Sequence, residues 1–365
     1  MQPSNRLTIS GLRVRAVKAP LRLPLQTSSG IIGIAPLILI DLSTEEGVTG
    51  HSYLFCYTPL VLKPVRQLLT NLEPGLKGLA VSPLELDRRL QAQFRLLGAK
   101  GVVGMALAGI DMAAWDALAR LQGLPLAQAL GADLTAIPAY NSCGLGMIGA
   151  ERVAQEAQVL LTSGFKAIKV RLGYPNLETD IEVVHAVKGA VGGDVLLMSD
   201  FNQALPVPEA VRRIQALDGE GLCWIEEPTL ADNYEGYAVI RQKARTPIQM
   251  GENWWGVHEM AQCLKAGASD LGMPDAMKIG GVTGWLRASA IAEAAGMPLS
   301  CHLFPEVSVH LLAATPTRHW LEYVDWASPV LAEPIRIENG CAVPSSAPGS
   351  GIEWNEINVK RYLVG

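Results

Sequence analysis

Charge of one sign is scarce in this sequence: 30 lysines and arginines face 35 aspartates and glutamates, a net −5 over 365 residues with no Lys/Arg cluster. That absence argues against nucleic acid and anionic membrane as partners. Long apolar runs are missing too. The longest, Gly30 to Ile40, is too short to cross a bilayer and contains Pro36. The six cysteines (Cys56, Cys143, Cys223, Cys263, Cys301, Cys341) form no CxxC pair, which excludes the usual thiolate metal clusters and redox motifs. They read as buried free thiols of a reducing cytoplasm. Met1 to Arg6 lacks the charged-then-apolar layout of a signal peptide. A cytoplasmic protein is the expectation, with no low-complexity tract.

What the chain does have is apolar residues, 49% of the total, enough for a large core and more than one ordinary domain. Leu12 to Val17 and Ala35 to Leu42 alternate as antiparallel strands, with polar Gln26 to Gly30 between them as a hairpin turn or loop. Gly50 to Tyr57 adds another strand, and from Pro59 to about Leu130 the apolar spacing is helical. Residues 1–132 therefore read as an α+β domain. From Ala136 onward, apolar strands alternate with amphipathic helices as far as Glu322, which predicts a (β/α) barrel over 133–330. Residues 331–365 are rich in Pro and Gly and too short for another unit, so they are expected to return to the first domain.

The barrel stretch is punctuated by charge. Lys169 and Arg171, Asp200, Glu226, Glu252, Asp275, His302 and Glu322 each close an apolar run, 20 to 31 residues apart, about the length of one strand, one helix and two loops. In a barrel those ends converge on one face. Three carboxylates, Asp200, Glu226 and Glu252, would repel each other in one cavity, and a divalent cation resolves this. All-oxygen ligation with positions left for water and substrate suits Mg2+. The alternative, solvated loop acids, fits poorly with the apolar flanks of Trp-Ile-Glu-Glu-Pro and Met-Gly-Glu-Asn-Trp.

Lys169 and Arg171, two apart on a strand, point the same way and call for an anion, either a substrate carboxylate or the metal's ligands; a surface pair making salt bridges is the other reading. Asp275 and His302 end successive strands. Such an Asp fixes the imidazole tautomer and leaves the other nitrogen to take a proton. Glu322 could donate a hydrogen bond to a developing oxyanion if kept protonated. The set suits abstraction of the proton α to a carboxylate, of a small-molecule carboxylate substrate.

These residues, together with Gly50 to Phe55, Trp224 to Thr229, Met273 to Gly281 and Ser300 to Phe304, make the sequence resemble the enolase superfamily, mandelate racemase subgroup, over nearly its whole length. The resemblance implies an α+β capping domain over a modified TIM barrel, (β/α)7β. It also implies Mg2+ on Asp200, Glu226 and Glu252, a His302/Asp275 base dyad, Glu322 as electrophile, and a homo-oligomer, commonly an octamer. Thr27 to Ile32, Phe55 and Tyr57 would cap the substrate, so Thr27, Phe55 and Tyr57, with Asn202 and Lys278, are the expected substrate contacts.

One departure bears on the reaction. The subgroup's Lys-x-Lys is here Lys169-Val170-Arg171, and in mandelate racemase the second lysine is one of two opposed bases. A guanidinium is a poor base. Either Lys169, beside a cation that lowers its basicity, takes over, or His302 acts alone. Two bases give a racemase of a 2-hydroxycarboxylate, and one suits dehydration of a sugar acid. The apolar cap residues Leu25, Ile31, Ile32, Phe55 and Tyr57 favour an aryl or alkyl substrate, which puts the racemase slightly ahead. A metal-binding, carboxylate-binding protein without turnover is the third reading.

Overall fold

The computed structural model describes residues 6–364. Three antiparallel strands open the chain: β1 (Ile9–Thr27), β2 (Gly30–Thr44) and β3 (Thr49–Phe55), in the order β1-β2-β3. Helices α1 (Pro59–Leu76), α2 (Pro83–Gln93) and α3 (Gly101–Leu121) follow and complete the cap. Thr58 caps α1, its hydroxyl accepting from the Leu60 N–H, and Pro59 occupies the first helical position, where no N–H is needed. By length and composition α3 could cross a membrane, yet it is mostly buried inside the protein. Its all-round apolarity is that of a core helix. Gly50 lets β3 lie directly on it, since a Cβ there would sit 2.0 Å from the Ala113 carbonyl oxygen.

The first hairpin is longer than its sequence pattern. Rather than stopping near Val17, β1 runs on past Pro20 and Pro24 to Thr27, so the polar stretch expected as a loop contracts to Ser28-Ser29. Proline is tolerated because β1 is an edge strand, and the register shifts between Pro20 and Leu25. The hairpin tip reaches the barrel: Ser28 Oγ donates to the carbonyls of Phe201 (3.3 Å) and Asn202 (3.2 Å), and Gln26 O accepts from Met147 N at 2.8 Å.

After the short α4 (Leu126–Ala129), strands and helices alternate: β4 (Ile137–Asn141), α5 (Ala150–Leu161), β5 (Ala167–Arg171), α6 (Leu177–Val191), β6 (Leu196–Asp200) and α7 (Val207–Leu217). Then come β7 (Ile225–Glu226), α8 (Tyr234–Lys243), β8 (Ile248–Met250), α9 (Val257–Ala266), β9 (Leu271–Gly272), α10 (Gly281–Ala295), α11 (Pro305–Ala313) and β10 (Leu321–Tyr323). Strands β4 to β9 pair in parallel. Between α10 and α11 the chain bridges at Gly272↔Leu299 and Asp275↔His302, and β10 closes the circle on β4. The result is a (β/α)7β barrel.

The tail divides its contacts. β11 (Arg336–Glu338) and β12 (Cys341–Val343) form a hairpin on β4, so this part stays with the barrel instead of leaving it. Beyond it, Trp354 Nε1 donates to Asp41 (2.6 Å), Arg15 pairs with Glu356 (2.8 Å) at the start of α12 (Glu356–Tyr362), and Val364 N bonds Ala16 O (2.8 Å). One strand of chain thereby ties barrel and cap together.

Candidate active site

The charged punctuation marks converge. In the parallel register Arg171 sits beside Asp200, and Asp200 beside Glu226, so the ends of β5, β6 and β7 present their side chains as neighbours. Glu252 follows β8 by two residues. The carboxylates of Asp200, Glu226 and Glu252 offer oxygens that all lie within 4.8 Å of one another, and all three residues are buried. Burial and mutual repulsion push the Glu226 carboxyl up to about 8 and raise that of Asp200, against the pull of Lys169. The hard oxygen donors of this cluster fit Mg2+.

Lys169 Nζ lies 2.6 Å from Glu226, 2.8 Å from Glu322 and 3.7 Å from Asp200. Although burial alone would lower its basicity, these carboxylates hold the ammonium well above the usual lysine range. Of the two alternatives for the base, Lys169 or His302 alone, this arrangement works against Lys169: the pull of three acids on its proton exceeds the repulsion from Arg171.

Arg171 points inward as well. Its Nη2 donates to Ser142 Oγ (2.9 Å) and its Nη1 to Ser142 O (3.2 Å), while Nε lies 3.8 Å from Asp200 Oδ2.

Glu322 also departs from expectation. Oε1 accepts from Lys169 and from Ser142 Oγ (2.8 Å), and Oε2 from the Leu303 N–H (3.0 Å). Burial opposes ionisation, but Lys169, His302 and Arg171 hold the carboxyl well below its usual range. Glu322 is thus an ionised acceptor in this arrangement, not a protonated donor.

His302 Nδ1 lies 2.7 Å from Asp275 Oδ2, and Nε2 stands 3.5 Å from Glu252 and 3.8 Å from Glu322. Burial would lower its pKa, yet the charges of Glu252 and Glu322 and the bond to Asp275 push it up to about 9. Arg171 thus stands beside Asp200, and His302 beside Glu252 and Glu322.

A cavity of about 470 Å3 opens above these groups. Every expected substrate contact lines it: Thr27, Phe55, Tyr57, Asn202 and Lys278. Lys278 Nζ donates to Asn253 Oδ1 (2.7 Å) and lies 4.5 Å from the centroid of the Tyr57 ring. Phe55 stacks between Tyr57 and Trp326, each 4.8 Å away.

Four participants escaped the sequence reading: Ser142, Gln203, Glu227 and Asn253. Buried Glu227 accepts from Gln203 Nε2 (3.0 Å) and Asn253 Nδ2 (2.9 Å). Its position after Glu226 gave one signal, a doubled acid, but not which of the two joins the triad. Strain marks the spot as well: Asn202 (φ 45°), Gln203 (φ 65°) and Glu227 (φ 40°) all adopt left-handed backbone at strand ends.

Known proteins share this architecture. Residues 9–131 match the N-terminal domain of the mandelate racemase / muconate lactonizing enzyme family, and residues 152–358 the enolase C-terminal domain-like family. An enolase from Bradyrhizobium, solved with magnesium and mandelic acid, is 44% identical with a TM-score of 0.95 and covers 100% of both chains. L-talarate dehydratase from Polaromonas sp. JS666, solved with Mg and L-glucarate, is 29% identical with a TM-score of 0.88 over 98% of each chain. The L-talarate/galactarate dehydratase of Salmonella typhimurium is 34% identical over 262 residues, spanning 71% of this chain and 66%, just under two thirds, of that protein. Further relatives include cycloisomerases and a racemase. This chain belongs to the enolase superfamily, in its mandelate racemase subgroup, and is a magnesium-using isomerase or lyase of that superfamily.

Proposed function

We propose that this enzyme dehydrates a 2,3-dihydroxycarboxylate of the sugar-acid class to a 2-keto acid, with His302 as its single base. The observation that carries this reading is Arg171: beside Asp200, where the subgroup's second lysine would stand, is a guanidinium, which stays charged and has no lone pair to accept a proton. Lys169, engaged by Glu226 and Glu322, does not replace it. The dehydratases among the relatives point the same way.

Asp275 engages Nδ1 of His302, which leaves Nε2 of the neutral ring to take the α proton; magnesium on Glu252 would favour that neutral ring by offsetting the charge that raises its pKa. Magnesium, held by Asp200, Glu226 and Glu252, would supply the positive charge that offsets the negative charge growing on the substrate carboxylate. Lys169 adds a fixed cation on the same side, buried and preorganised. The C–O bond on the neighbouring carbon then breaks with its electron pair. The departing oxygen becomes water with the proton that His302 took up, and the enol left behind tautomerises to the 2-keto acid.

Racemisation is the second reading. It draws on the apolar cap wall of Leu25, Ile32, Phe55, Val61, Met105 and Trp326, and on the mandelic acid held by the Bradyrhizobium enolase. Proton NMR in D2O with Mg2+, run against aldonic, aldaric and aryl 2-hydroxy acids, separates the two. Loss of water to a 2-keto acid supports dehydration. Exchange of the α proton with inversion would overturn it in favour of a racemase with a second base.

A further inference from the structure

We infer that Trp224 and Gln249 are positioning residues for the triad carboxylate Glu226, and that by occupying one of its two oxygens they make the site favour Mg2+ over the larger Ca2+. Both are fully buried inside the barrel, and neither lines the cavity. They act on the ion through Glu226 alone, so the inference is the same whichever reaction the site performs.

Two donors converge on one carboxylate oxygen. Trp224 precedes Glu226 by two residues, the spacing that puts both side chains on one face of a strand, and its Nε1 donates to Glu226 Oε2 at 3.2 Å. Gln249 stands opposite Glu226 in the parallel register of β7 and β8, and its Nε2 donates to the same oxygen at 3.3 Å. The other oxygen, Oε1, accepts from Lys169 Nζ at 2.6 Å.

Both donors are fixed in place. The Trp224 ring meets Tyr140 edge-on, with centroids 5.3 Å apart, and lies 5.9 Å from the His319 ring. Gln249 Nε2 also faces Met273 Sδ at 3.2 Å, while its Oε1 is buried without a partner. An orphaned amide oxygen is costly. Turning the amide over would set Oε1 against the Glu226 carboxylate, oxygen against oxygen, so the carboxylate dictates which end of Gln249 faces it.

The consequence follows from counting lone pairs. Each carboxylate oxygen has about two acceptor positions. Trp224 and Gln249 fill both on Oε2, and Lys169 fills one on Oε1, which leaves Glu226 a single position to offer a cation. Mg2+ is content with single oxygens in octahedral array, whereas Ca2+ readily takes both oxygens of a carboxylate. A glutamate with one oxygen already engaged therefore discriminates between them.

Calorimetric titration of the metal-free, full-length enzyme with MgCl2 and with CaCl2 tests this. Trp224→Phe and Gln249→Met each keep the approximate shape and lose the N–H. Each is expected to weaken Mg2+ binding about 10- to 100-fold, the usual effect of removing a partner of a metal ligand. Ca2+ should weaken less, so that the preference for Mg2+ falls by about 3-fold or more. Melting curves of the metal-free variants show whether each is folded, and the two are read separately so that either alone decides. Unchanged Mg2+ affinity in a folded variant, or equal weakening of both ions, would overturn the inference. Glu226→Gln distinguishes failure of the metal assignment itself: Mg2+ binding as tight as in the wild type would place the ion away from the triad.

Discussion

His302 and Asp275 are joined at 2.7 Å through Nδ1 and Oδ2, and the other carboxylate oxygen of Asp275 is tied down by the backbone N–H groups of Met277 (2.7 Å) and Lys278 (3.0 Å). The base is therefore held by an acid that cannot itself rotate. His302→Asn should lower turnover by at least about 10²–10⁴-fold, the ordinary contribution of a positioned base. Asp275→Asn should cost turnover with little change in Mg2+ binding, because it frees the ring tautomer and leaves the triad intact. Steady-state kinetics with metal titration checks both, and unchanged turnover in His302→Asn would remove this residue from the chemistry.

Magnesium should stabilise the fold as well as serve the reaction. Three buried carboxylates within 4.8 Å of each other repel, and a divalent cation offsets the repulsion that Lys169 leaves. A ligand that binds only the folded state adds about 2.7 kcal/mol at 100 times its Kd. Differential scanning fluorimetry should show Tm rising with Mg2+ and falling with chelator, and Glu226→Gln should abolish most of that rise. An equal response in the variant would place the ion elsewhere.

Gly50→Ala is expected to be among the most damaging single-methyl additions. The new Cβ would lie 2.0 Å from Ala113 O and 2.7 Å from Ala117 N, both backbone atoms of α3 that cannot step aside. A cost of about 3 kcal/mol or more follows from overpacking of this kind. Urea unfolding measures it, and a variant as stable as the wild type would mean that β3 and α3 can separate freely.

Acid stability should carry the signature of His310. Burial pushes its pKa down to about 4, and Nδ1 accepts the Ala127 N–H at 3.3 Å, a bond that requires the neutral ring. With the folded pKa below the unfolded value of about 6.5, the unfolded chain binds more protons between the two. Stability from this group is complete above about pH 6.5 and is lost as pH falls toward 4, by about 3 kcal/mol at 1.36 kcal/mol per unit. His310→Asn should flatten that part of the curve; an unchanged slope would assign it to other groups.

Much of the architecture was legible without coordinates because a barrel repeats. Each unit needs a similar length of chain, so acids and bases that end apolar runs at regular spacing announce both the strands and their common face. Asp200, Glu226, Glu252, Asp275 and His302 could be read this way, and so could the inward direction of Lys169 and Arg171, from the two-residue period of a strand. The reach of β1 was not, since Pro20 and Pro24 read as breakers until the strand is known to be an edge.

By itself, then, the sequence determined the identity of the fold and the kinds of group at its mouth, because both follow from periodicity along the chain. Tertiary structure alone decided their ionisation and their partners. Glu322 is an acceptor because Lys169, Ser142 and the Leu303 N–H meet it in space, and Lys169 holds its proton more tightly because Glu226 and Glu322 close on it. Ser142 bears on the site only once β4 has paired with β5, which brings it against Arg171, and β10 has closed on β4, which brings it against Glu322. Charge states depend on burial and on distances of a few ångströms between residues far apart in sequence, and those exist only when the barrel has closed.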